Sequence, residues 1–157
     1  MPVTKDEFRA AMSRFASGVS VVTTKKDDGK LEGITVSAFS SLSLDPPLVL
    51  ICIDKRASIH DSLSEGRHFA VNILAEDQEI FSRRFASRDT DRFGGVGYNE
   101  GPAGSPLLNG ALCHVECRIV HTYPGGDHTL VVGEVETTIA AEGKPLVYFR
   151  GGYARLA

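Results

Sequence analysis

Leu107 to Ile139 reads LLNGALCHVECRIVHTY-PGGD-HTLVVGEVETTI, and this stretch decides the fold. Leu107 to Tyr123 and His128 to Ile139 are long and rich in β-branched residues, so both read as strands. Pro124-Gly125-Gly126-Asp127 between them has the composition of a tight turn, which makes the pair an antiparallel hairpin. Working outward, Val19-Ser20-Val21-Val22-Thr23-Thr24 reads as a strand, Asp27-Asp28-Gly29 as a turn, and Leu31 to Ser37 as the returning partner. Phe39 to Leu44 is a further apolar segment that ends at Asp45-Pro46-Pro47, where two prolines forbid helix. Leu48 to Ile53 is a continuous apolar run, as expected of a strand buried on both faces. His68 to Leu74 and Leu146 to Phe149 complete the strands, with Gly151-Gly152 as a tail. Many strands with hairpin-length connections predict a mainly β fold, a closed antiparallel barrel in one domain over residues 1–157.

Helices are few. Thr4 and Glu7 form a capping box, Phe8, Ala11, Met12 and Phe15 follow at helical spacing, and Gly18 is placed to end the helix. Ser58 to Leu63 reads as a short helix capped by Ser58, with Gly66 beyond its end. Gln78 to Phe85 sets Ile80, Phe81 and Phe85 on one face. Ser87 to Pro106 is rich in Gly, Asp, Asn and Pro and reads as a long surface loop.

Composition narrows the function classes. The 157 residues suffice for one sizeable core, and 42% hydrophobic with 24% charged residues is ordinary for a globular protein. A net charge of -3 provides no basic footprint for nucleic acid. No apolar run reaches the length of a membrane span, and Met1 to Glu7 lacks a secretory pattern. Three cysteines fit a reducing compartment, so the expectation is a cytoplasmic protein.

Several short motifs fail on inspection. Gly94-Gly95-Val96-Gly97 lacks the third glycine of a dinucleotide loop and opens no helix. Cys113, Cys117 and His121 share a strand face, but paired zinc ligands favour tighter spacing, so no metal is expected. Thr35, Ser37, Ser40 and Ser41 make a hydroxyl-rich patch, either a solvated hairpin edge or a row of groups for a polyhydroxylated ligand. Lys55-Arg56-Ala57-Ser58 sets two cations and a hydroxyl before a helix start, which suits an anion site or a plain N-cap equally. His128, following the Gly-Gly-Asp turn, is a ligand-facing imidazole or a loop residue.

These patches coincide with a known family. Phe15 to Thr24, Gly33 to Val49, Phe69 to Leu74 with Asp77-Gln78, Asp91-Arg92-Phe93 and Gly125 to Thr129 resemble the short-chain flavin reductases. These are the reductase components of two-component flavin monooxygenases acting on 4-hydroxyphenylacetate and other phenols. The resemblance runs in order over nearly the whole chain, with Ala38 where an asparagine often stands.

It implies an FMN-binding type of split β-barrel, a homodimer that binds FMN or FAD near the subunit interface. Ile34, Thr35, Val36 and Ser37 would line the isoalloxazine and ribityl chain, and Ser40 and Ser41 the ribityl or phosphate end. Cys52 and Ile53 would sit against the flavin, Lys55 and Ser58 at its phosphate, and Arg88 and Arg92 at phosphate or adenylate. His128 would contact NADH or NADPH as the catalytic residue, with Tyr148 and Arg150 near its pocket. A backbone or hydroxyl donor from Thr35 to Ser37 is expected to meet charge developing on the ring. The implied function is an NAD(P)H:flavin oxidoreductase feeding a separate oxygenase component. The alternatives are a split-barrel flavoprotein reducing a ferric chelate or a corrinoid, and a non-catalytic flavin-binding module.

Overall fold

The computed structural model describes residues 2–157. Helix α1, Lys5–Met12, opens on the capping box: Thr4 Oγ1 accepts from the Glu7 amide at 3.1 Å, and Glu7 Oε2 accepts from the Thr4 amide at 2.7 Å. The hairpin β2 (Ser20–Lys25) and β3 (Leu31–Val36) turns on Gly29, whose φ of 87° needs glycine. β4 (Phe39–Ser43), β5 (Leu48–Asp54) and β6 (His68–Ile73) follow, then α2 (Glu79–Phe85). The long hairpin is β9 (Cys113–Gly125) with β10 (His128–Ala140), joined by Gly126 and Asp127. Gly126 carries φ 63° at the first central position, as a II′ turn requires.

These seven strands form one antiparallel sheet in the order β3-β2-β6-β9-β10-β5-β4. The sheet curls around a core of Val22, Ile51, Ile53, Phe69, Val71 and Ile119 and their neighbours. β3 lies against β5, yet no ladder joins them, so the barrel is split along two edge strands, β3 and β4. A second core holds α2 against the outside of the barrel through Val21, Leu74, Phe85, Leu108 and Leu146. β1 (Ser17–Gly18), β11 (Val147–Phe149) and β12 (Gly152–Ala154) make a small sheet at one end, and β7 (Tyr98–Glu100) pairs with β8 (Pro106–Leu108).

Several expectations are corrected. α1 ends at Met12 rather than Gly18, because Gly18 pairs with Val147 as part of β1. On its apolar face Phe8 and Met12 are exposed, and Phe15, beyond the helix end, is 81% exposed. β5 alternates, with Val49, Ile51 and Ile53 buried and the intervening residues half-buried, because only one face of the sheet meets the barrel interior. The strand buried on both faces is β6, central in the sheet and covered outside by the second core. Ile80 is exposed, and Ser82 with Phe85 forms the buried side of α2. Ser58 caps no helix: only a 3-10 turn, His60–Ser62, forms, and Ile59 precedes it without a side-chain cap.

The stretch 87–106 is not all loop, and Leu107 to Tyr123 is not one strand. β7 and β8 form inside them, and the chain breaks at Asn109-Gly110 before β9. The cause is Asn72, fully buried on β6. Its Nδ2 donates to Val21 O at 2.9 Å and Thr23 Oγ1 at 3.0 Å, while its Oδ1 accepts from the Leu108 amide at 2.8 Å. Thr23 Oγ1 donates onward to Pro106 O at 2.6 Å. The Gly151-Gly152 tail likewise folds back as β12, helped by positive φ at Arg150 and Gly151.

Candidate functional site

The split gives the site its first property. Strand β3 is paired on one side only, so alternate backbone groups face outward. Arg92 Nη1 donates to Gly33 O at 2.8 Å from that outer side. By the two-residue period of the strand, the Thr35 amide faces the same open edge. Two clefts follow this edge. One, of about 500 Å3, is lined by Lys30, Gly33, Ser58, Arg88, Arg92 and Phe93 among others. The other, of about 240 Å3, is lined by Thr35, Val36, Ser37, Ser82, Tyr148 and Tyr153 among others.

The first cleft carries three cations, Lys30, Arg88 and Arg92, beside three carboxylates, Glu32, Asp89 and Asp91, and its cations are unequally free. Arg92 Nη2 also donates to Ser87 O at 2.5 Å, and Arg84 donates to Arg92 O, Asp91 O and Gly94 O. The 87–94 segment is thus wrapped on two guanidinium groups, which makes Arg92 first a clamp on the cleft wall. Among the described residues Arg88 makes no ion pair and is exposed, and Lys55 and Ser58 are exposed as well. No helix starts at Ser58, so a helix dipole adds nothing there, and any hold on an anion falls to the side chains of Lys55 and Ser58 themselves.

Thr35 lies half-buried with its hydroxyl donating to Ser82 O at 2.6 Å. Its one hydrogen is engaged, so Thr35 Oγ1 presents only acceptor lone pairs to the cleft. The hydroxyl donor expected in this stretch is therefore not Thr35. The Thr35 amide and the exposed Ser37 hydroxyl are the groups placed to donate. Ile34 packs against the barrel core and Val36 is buried in it. Ile53 is 1% exposed and points into the same core, so Cys52, its half-buried neighbour, is the residue of the pair on the outer face. Ser40 Oγ donates to Ser41 O at 2.8 Å on the exposed edge β4.

His128 begins β10 opposite Asp54, and Leu130 stands opposite Cys52, so these four residues share one face. His128 Nδ1 lies 2.7 Å from Asp127 Oδ1. That contact holds the Asp127 carboxyl below the usual carboxylate range. Arg56 hydrogen bonds lower the Asp54 carboxyl to about 2. Two carboxylates thus flank the imidazole, and an ionised Asp127 keeps the proton on Nδ1, leaving Nε2 for a ligand. The Lys55 amide donates to Asp127 O at 3.0 Å, which ties the β5 end to this turn.

Tyr148 stands in the second cleft, edge-on to Tyr153 with centroids 5.4 Å apart. Of the expected site residues, Ile34, Ser40, Ser41, Cys52, Ile53, Lys55, His128 and Arg150 line neither cleft. Tyr153, Ser82 and Lys30 line the clefts and escape the sequence reading; Tyr153 sits in the segment read as a tail. Cys117 is buried, and burial pushes its thiol up to about 12, as for a small core hydrophobe.

A seven-stranded barrel split along β3 and β4, with hydroxyl groups on the opening and clefts along its unpaired edge, is a split barrel of the flavin reductase type. The sequence matches the flavin reductase like domain over residues 12–157, and the chain belongs to that family. An NADH-dependent flavin reductase of Rhodococcus sp is 44% identical, covering 98% of this chain and 88% of that protein. The reductase component of 4-hydroxyphenylacetate 3-monooxygenase from Thermus thermophilus is 43% identical, covering 97% of each. The NADH:FAD oxidoreductase of Streptomyces globisporus in complex with NAD and FAD fragments superposes with a TM-score of 0.92. It is 36% identical and covers 100% of this chain and 98% of that one.

Proposed function

We propose that this chain is an NADH-dependent flavin reductase that supplies reduced FMN or FAD to a separate monooxygenase component. The observation that carries the reading is the pair of clefts along the unpaired edge of β3. An elongated ligand that alternates hydrogen-bonding groups, hydroxyls and an anionic end fits this lining of open amides, Ser37, and then Arg88 and Lys30. The relatives named for NADH, flavin and monooxygenase support the same chemistry.

When bound, flavin would supply the acceptor for a hydride from NADH, and the part of the protein would be to hold and orient the two cofactors. Thr35, Val36, Ser37 and Tyr148 form the wall for the ring, with Cys52 on the adjacent outer face. Ser40 and Ser41 offer hydroxyls beside the split. Lys55, Ser58 and Arg88 meet the phosphate end, with Arg92 fixing the wall that carries Arg88. His128, held by Asp127, orients the nicotinamide cofactor, and Arg150, in the turn that follows β11, is the further residue assigned to its pocket. We assign the protein to the cytoplasm, which suits its three free cysteines.

Anaerobic mixing of the purified protein with excess FMN or FAD and NADH tests the reading by the loss of oxidised-flavin absorbance. Multiple-turnover bleaching is the expected result. Bleaching of one flavin equivalent per subunit would instead mean a fixed prosthetic group and another acceptor, such as a ferric chelate or a corrinoid. Bound flavin without bleaching would leave only a binding module.

A further inference from the structure

We propose that Tyr153, acting through Ser82, is a positioning residue that fixes the hydroxyl of Thr35 as an acceptor in the flavin cleft. The inference rests on the placement of flavin along β3. Ser82 is buried on α2, and its backbone carbonyl belongs to the last turn of that helix, where carbonyls lack an intrahelical donor. Thr35 Oγ1 supplies the missing donor at 2.6 Å. The side chain of the same serine meets the Tyr153 hydroxyl at 2.7 Å. Ser82 therefore links the C-terminal strand β12 to the cleft strand β3 through one residue.

Tyr153 is itself held on two sides. Its ring packs edge-on against Tyr148, and the Arg83 guanidinium lies 4.9 Å from its centroid. Glu79 fixes Arg83 in turn, accepting from Nε at 3.0 Å. The Tyr153 hydroxyl thus has little freedom, and it sets where α2 stands relative to β3. Without that tether the Ser82 carbonyl shifts and the Thr35 hydroxyl is free to rotate, turning its hydrogen into the cleft. A ligand donor, such as a ribityl hydroxyl or a ring N–H, then meets another donor.

The test is a double-mutant cycle on flavin affinity, read by fluorescence quenching of FMN and of FAD without NADH. Thr35→Val is expected to weaken binding about 10-fold and Tyr153→Phe about 3-fold, the scale of one lost or misdirected hydrogen bond. The double variant is expected to bind no more weakly than Thr35→Val alone, because Tyr153→Phe keeps the ring that lines the cleft and removes only the hydroxyl, which reaches the ligand through Ser82 and Thr35. Ser82→Ala should reproduce Tyr153→Phe, and Thr35→Ser should keep wild-type affinity. Losses that multiply to about 30-fold in the double variant overturn the positioning role. So does unchanged affinity in Tyr153→Phe while Thr35→Val is impaired. If Thr35→Val itself binds flavin normally, the placement of flavin on β3 fails and the inference falls with it.

Discussion

At the scale of single residues, His128 is distinguished by its surroundings rather than by its exposure. It stands between Asp127, in contact with its Nδ1, and Asp54, opposite it in the ladder. Both carboxyls are held below the ordinary range, Asp127 by His128 and Asp54 by Arg56, so both are ionised at neutral pH. A fixed imidazole with Nε2 free suits a hydrogen bond to a carboxamide, which is the polar handle of nicotinamide. His128→Ala is therefore expected to raise the KM for NADH about tenfold while the flavin dissociation constant changes less than about twofold. Steady-state kinetics at saturating flavin, with a flavin titration beside them, separates the two. An unchanged NADH dependence would remove His128 from the nicotinamide site.

At the scale of elements, one buried side chain determines how the 98–108 region attaches. Asn72 bonds to β2 and β8 together, and Thr23 extends the link to Pro106. Asn72→Ala strands a buried amide and a buried carbonyl, at a cost of about 2–3 kcal/mol. The expected fall in melting temperature is roughly 5–10 °C for a domain of this size. A thermal unfolding midpoint within about 1 °C of wild type would show that water or a shifted neighbour satisfies those groups. The same residue explains what the sequence left unread. Strands with strong β-branched patterns, β2, β3, β6 and β10, are legible because local pattern and tertiary role agree. β7, β8 and β12 are too short to carry a pattern and exist through long-range contacts such as Asn72 with Leu108 and Ser82 with Tyr153. For the same reason Tyr153 and Ser82 were invisible as site residues, and Ser58 read as a helix cap when the chain forms only a 3-10 turn. Ile53 shows the converse: adjacency to Cys52 in sequence places it on the opposite face of the strand.

At the scale of the whole molecule, the fold leaves an apolar surface that its own two cores do not cover. Phe8 and Met12 lie on α1, which buries none of its residues, and Phe15 follows it. A capped helix of eight residues is marginal alone in water, so a helix this short gains its stability from packing. Among the described residues this face is left exposed, and Leu42 and Leu44, the latter 92% exposed, lie at the end of edge strand β4. Large apolar side chains left exposed in this number ordinarily mark a surface that a partner covers. We propose a second copy of the chain as the cover, which a two-fold dimer of at least about 800 Å2 per partner would supply. Sedimentation equilibrium should then give twice the monomer mass at micromolar concentration. Replacing Phe8 and Phe15 together by aspartate should shift the species to monomer, since two desolvated carboxylates in the interface oppose association. The dissociated form should unfold at lower temperature than the dimer, because association stabilises by mass action. A wild-type protein that sediments as a monomer throughout that range would instead leave α1 as a frayed, solvent-facing segment. Its amides should then exchange with solvent within the dead time of a hydrogen-exchange experiment.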